Sequence, residues 1–80
     1  MNPSLVQDLH AVAALCDDRA ARLEASGDLL ATRAVTATWA GPAADRFRAL
    51  TVERRNELRL SAAALRDAAA LMRATAGTPR

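Results

Sequence analysis

No lysine and no tyrosine occur among these 80 residues, and aromatic side chains make up 2% of the chain, one Trp and one Phe. Branched and aromatic residues are the usual material of sheets and alanine is the best helix former, so this alanine-rich list argues against an all-β or doubly wound α/β fold. A single cysteine, Cys16, permits no internal disulfide and excludes a disulfide-stapled secreted miniprotein. Three glycines, Gly27, Gly41 and Gly77, form no glycine-rich phosphate loop. No window approaches the roughly 20 apolar residues of a membrane-spanning helix. Asp8 and His10 interrupt the apolar run that a Sec signal peptide needs, and the start carries no basic region. Synthesis in the cytoplasm without a Sec signal peptide is the expectation.

The composition that remains, 51% hydrophobic and 25% charged, suits one small domain over residues 1–80. All eleven basic residues are Arg, set against nine acids for a net charge of +2, too modest a surplus to point to nucleic acid. The all-Arg, alanine-rich usage suggests a GC-rich, actinobacterial genome.

Periodicity supplies the architecture. Leu5, Leu9, Val12, Cys16, Ala20, Leu23, Gly27, Leu30 and Ala34 recur at gaps of three and four and share one helical face. They predict a first helix over about residues 4–38, with a kink allowed near Gly27. Trp39-Ala40-Gly41-Pro42 ends it, and Pro42 opens the next helix where its missing N–H costs nothing. Phe47, Leu50, Leu58, Ser61, Leu65, Ala68 and Met72 form the second apolar face, with Arg54 inside it, on a helix over about 43–75. A disordered tail is expected over 76–80.

The expected fold is all-α, an antiparallel two-helix hairpin joined by the Trp39-x-Gly41 turn. A hairpin buries one stripe per helix, and Leu15, Leu29, Leu60 and Leu71 lie off that stripe. A second hairpin would cover the surplus, so dimerisation into a four-helix bundle is expected. Its core and interface would be Leu5, Leu9, Val12, Cys16, Leu23, Leu30, Phe47, Leu50, Arg54, Leu58, Leu65 and Met72.

Charge is patterned too. Asp17, Glu24 and Asp28 line one narrow stripe of helix one, and Arg48, Arg55, Arg59, Arg66 and Arg73 line one of helix two. Antiparallel pairing brings both to one edge. Counting outward from the turn pairs Asp17 with Arg66, Glu24 with Arg55 or Arg59, and Asp28 with Arg55.

The stretch Trp39-Ala40-Gly41-Pro42-Ala43-Ala44-Asp45-Arg46-Phe47, set between two long alanine-rich helices, resembles the WXG family, the small ESAT-like proteins of type VII (ESX) secretion. The resemblance covers nearly the whole chain. It implies a hairpin with Trp39 and Gly41 in the loop, pairing as a homodimer or heterodimer with another WXG-type hairpin or an effector, and export in folded form by a membrane-embedded ATPase machine. Trp39 would then cap the open end of the bundle, its indole N–H bonded at the turn. Family substrates often carry Tyr-x-x-x-Asp/Glu after helix two, whereas Arg73 to Arg80 contains neither Tyr nor acid. Either a partner carries the signal, or the chain stays inside as a dimerising chaperone or adaptor.

No catalytic constellation is present. His10 has no Cys or carboxylate spaced to complete a metal site, and Cys16 lies in the apolar stripe beside acids that disfavour a thiolate. The expectation is a non-enzyme without cofactor or metal. The rival reading is a small cytoplasmic helical dimer acting as a regulator or nucleic-acid-associated protein, its arginine stripe tracking phosphates. No aromatics interleave with those arginines, and no short recognition helix is present.

Overall fold

The computed structural model describes residues 1–77. Helix α1 is Pro3–Thr36 and helix α2 is Pro42–Ala76, packed side by side as an all-α hairpin whose backbone spans 62 × 13 × 10 Å. No strand occurs among the described residues.

Local chemistry sets the ends. Asn2 caps α1: its side chain accepts the Leu5 N–H at 2.7 Å, which puts Pro3 in the first turn, a residue earlier than periodicity suggests. At the other end α1 stops at Thr36, two residues short of the expected 38. The β-branched Val35, Thr36 and Thr38 favour helix weakly. The Thr36 hydroxyl turns back onto the Thr32 and Arg33 carbonyls at 3.0 and 3.3 Å, and Ala37 is already extended. The connection is therefore residues 37–41, with Pro42 inside α2 rather than in the turn.

Gly41 is the N-cap of α2 at φ 107° and ψ 178°. That region is open to glycine almost alone, while a Cβ there would meet nothing within 4 Å, so backbone conformation and not space demands the glycine. Asp45 stands in the first turn of α2, where its carboxylate faces the positive end of the helix dipole. Of the expected tail, Ala76 closes α2 and Gly77 caps it from a right-handed conformation, its N–H donating to the Arg73 carbonyl at 3.0 Å. Thr78, Pro79 and Arg80 lie outside the described residues.

The seam between the helices is made of small residues. Ala13, Ala20, Gly27, Ala31 and Ala34 are buried on α1, and Ala44, Thr51, Ala62 and Ala69 on α2. Four of the α1 set recur every seventh residue, the repeat that keeps one line of a helix against a neighbour. This corrects the expected stripe. The larger residues assigned to it lie about 50° round each helix from the true seam, half the 100° step between residues. Small side chains let two long backbones approach closely and gain dispersion along their whole length, so the bulky ones are displaced to the flank. Helix α1 passes unbroken through Gly27. A Cβ there would lie 3.3 Å from both the Arg55 Cα and the Leu58 Cδ1, so the residue is a close-approach point rather than a weak spot.

Candidate functional site

The hairpin carries an ionic edge on one side of the seam, an apolar face on the other, and a tip where the turn is stapled.

At the tip, Arg48 is the organising residue. From the second turn of α2 its Nε donates to the Ala34 carbonyl at 3.0 Å, and its Nη2 donates to the carbonyls of Ala37 and Trp39 at 3.1 and 2.5 Å. The last carbonyls of a helix lack intrahelical partners, and a planar guanidinium can serve several at once while its charge complements the negative helix end. Asp45 stands 3.6 Å away from Arg48 Nη1. The Trp39 ring packs obliquely on Phe47, centroids 6.0 Å apart, yet Trp39 is 52% exposed. The hydrogen bond at Trp39 is to its carbonyl rather than from its indole. Within one chain it therefore caps no core.

Along the edge, Asp28 meets Arg59 at 3.1 Å, Glu24 meets Arg66, and Asp17 meets Arg73 at 2.7 Å. The edge is the one charge patterning indicates, but the partners stand four to eleven residues further along α2 than counting from the turn gives. Helical side chains lean toward their own N-terminus, so α1 acids lean away from the turn and α2 arginines lean toward it. An acid therefore reaches an arginine rooted further from the turn than the backbone level facing it. Arg55, expected to pair with Glu24 or Asp28, instead has its Cα against Gly27 and its Nε buried without a hydrogen-bond partner.

The opposite side presents the large apolar residues. Leu9, Cys16 and Leu23 on α1 and Leu58, Leu65 and Met72 on α2 are half-buried, whereas Leu5, Val12, Leu30, Phe47 and Leu50 are exposed. No large side chain is fully buried anywhere among the described residues. Leu15, Leu60 and Leu71, which lie off this face, are more exposed still, at 67–73%. Between the helices this face opens a groove of about 500 Å³, lined by Leu23, Ser26, Leu29, Leu30, Arg33, Arg54 and Leu58. Arg54, within the stripe as expected, is neutralised by its own helix neighbour Glu57 at 3.1 Å.

These placements decide what the surface offers chemically. Arg59, Arg66 and Arg73 already face carboxylates and Arg48 is folded onto the turn, so the arginine stripe presents few free cations to phosphate. Cys16 is a free thiol, half-buried on the apolar face. No group of three or more His, Cys, Asp or Glu gathers as a metal site among the described residues, and no helix is long and apolar enough to cross a membrane.

The small-residue seam was open to sequence reading through its seven-residue recurrence, but larger residues carry more weight in a periodicity argument. Nothing marked Arg48 as a staple before the path of residues 37–41 was known. Compared with protein-family models, with curated proteins and with solved structures, the chain matches none.

Proposed function

We propose that the chain is an ESAT-like WXG hairpin of a type VII secretion system, acting as a secreted substrate or as the co-secreted or chaperone partner of an effector. The observation that carries this is the apolar face: two helices of 34 and 35 residues hold no fully buried large side chain between them, and Leu5, Leu9, Leu23, Leu30, Leu50, Leu58 and Leu65 stand on one uncovered side. Such a hairpin acts through binding, and a second helical pair laid on that face completes a four-helix bundle. The Trp39-x-Gly41 tip supports the same reading, since Gly41 holds a backbone conformation other residues avoid and Trp39 and Phe47 stand together at the end of the rod. In the bundle Trp39 gains the cover it lacks in one chain. The work is non-enzymatic and needs no cofactor. A nucleic-acid role draws less support, because the arginines it needs are engaged with carboxylates or with the turn.

The test is expression of the tagged chain with the product of the adjacent gene in a host that has a type VII system. The proposal expects the chain in the culture supernatant and its loss on deletion of the system's ATPase, or else its co-purification from the cytosol with a protein exported that way. A chain that is neither exported in an ATPase-dependent manner nor bound to an exported protein contradicts it.

A further inference from the structure

We infer that the outward sides of the two helices dock on each other between copies of this chain: the outer strip of α1 on one copy binds the outer strip of α2 on the next, head to tail, building a row. The contact is separate from the apolar face and does not depend on what covers that face.

Large apolar residues stand on both outer sides. Leu15 and Leu29 on α1 and Leu60 and Leu71 on α2 are 52–73% exposed. At about 100° per residue the α1 pair lies about 150° round from the buried alanines and the α2 pair about 180°, so the two strips face away from each other. Leu29 also borders the groove, at the margin of the apolar face. Each strip carries unpaired charge of one sign. Arg19 and Arg33 on α1, and Glu53 and Asp67 on α2, are exposed and make no ion pair among the described residues. Arg22 and Glu57, which share the strips, are already neutralised by Asp18 and Arg54.

Spacing makes the strips complementary. Arg19 and Arg33 are fourteen residues apart, and so are Glu53 and Asp67, a separation of about 21 Å that returns each pair to within about 40° round its helix. Leu15 precedes Arg19 by four residues, and Leu71 follows Asp67 by four. With the strips antiparallel, Arg19 meets the next copy's Asp67, Arg33 meets its Glu53 and Leu15 meets its Leu71 in a single register, with Leu29 about one turn from its Leu60. To within about one turn, this is the register in which Asp28 meets Arg59, Glu24 meets Arg66 and Asp17 meets Arg73 inside the hairpin, so the next copy is displaced sideways with its turn at the same end. Asp8 and Arg46 lie near the ends of their helices, outside the matched stretch.

Like strips repel, since α1 on α1 sets arginines against arginines and α2 on α2 sets acids against acids. A contact between two different surfaces leaves one of each free, so addition continues past two copies, and strips on nearly opposite sides give an open row. A strip 62 Å long and one helix wide, about 10 Å, offers about 600 Å² a side, the low end for a specific interface, so the row forms at high concentration.

The experiment is sedimentation velocity over a concentration series at low and high salt, joined to cross-linking. The wild-type chain should grow past the mass of two hairpins as concentration rises, and salt should reverse that growth. Arg19→Glu with Arg33→Glu, or Glu53→Arg with Asp67→Arg, should weaken the association about tenfold or more, with circular dichroism unchanged because all four side chains are exposed. All four exchanges together leave the net charge at +2 and should restore growth. In a Cys16→Ala chain, Leu15→Cys with Leu71→Cys should give, with a short bismaleimide, a ladder at multiples of 8.5 kDa, because the two positions face opposite ways in one hairpin and meet only between copies. Growth indifferent to either pair of exchanges, a fourfold exchange that fails to restore it, a missing ladder, or a wild-type mass that never passes two hairpins overturns the row. The proposed function fails separately, by loss of ATPase-dependent export and of any exported partner.

Discussion

Gly27 on α1 and Arg55 on α2 stand so close that a methyl group built on the glycine would lie 3.3 Å from the Arg55 Cα. This closeness fixes the level of one helix against the other. Counting outward seven residues at a time sets Ala20 level with Ala62 and Ala13 level with Ala69, all four buried. A chain that spends its small residues on the seam has its large ones left for another surface, so the close approach and the open apolar face are two consequences of one arrangement.

Enlarging Gly27 should therefore separate the helices. Gly27→Ala gains about 1 kcal/mol of helix propensity against mild crowding and should leave the melting temperature nearly unchanged. Gly27→Leu has no room beside the Arg55 backbone and should cost about 2–3 kcal/mol by overpacking, read by thermal denaturation followed by circular dichroism. Equal stability of the alanine and leucine variants would contradict the close approach.

At the turn, Gly41→Ala should destabilise by about 1–3 kcal/mol, although the added methyl touches nothing, because φ 107° with ψ 178° is strained for any L side chain. Chemical denaturation measures it. A loss below about 0.5 kcal/mol, the ordinary size of a surface substitution, would show the connection to be freely adjustable.

Arg48→Ala removes donors to three carbonyls, those of Ala34, Ala37 and Trp39, and should cost about 2 kcal/mol. Arg48→Lys should recover only part of this, since an ammonium lacks the planar fork that serves carbonyls on both sides of the helix end. Trp39 fluorescence should report a loosened tip in the alanine variant before the helices melt.

The ionic edge is half-exposed and should matter little. Removing the three acids together, as Asp17→Asn, Glu24→Gln and Asp28→Asn, should cost about 1–2 kcal/mol at low salt, with most of the difference gone at high ionic strength. A salt-independent loss would mean that these groups serve packing rather than pairing.

How much the sequence disclosed depends on what decides each feature. Helix number, the break at Gly41-Pro42 and the charged edge follow from local propensity and spacing, which a single chain displays in full. The seam did not follow, because Leu23 and Ala20 both obey helical spacing and only the distance between backbones chooses between them. The pairing of Asp17 with Arg73 rather than Arg66 turned on the lean of side chains along a helix, a three-dimensional effect with no signature in residue counts. Arg48 serves carbonyls whose positions exist only once the connection has folded.

The apolar face can be tested by where a charge is placed. Leu65→Asp, on that face, should abolish pairing across it, whereas Leu60→Asp, at 73% exposure on the far side of the same helix, should leave that pairing intact. Cross-linking distinguishes them. Equal effects of the two substitutions would mean the wrong face has been assigned.

Most direct is the mass of the purified chain by light scattering, alone and after co-expression with the adjacent gene product. A chain of 8.5 kDa whose leucines await cover should behave as an assembly of about 17 kDa or more, with helicity that falls as it dissociates. A fully helical, cooperatively folded monomer at every concentration, unchanged by the co-expressed protein, would contradict the assignment of the apolar face as an interface.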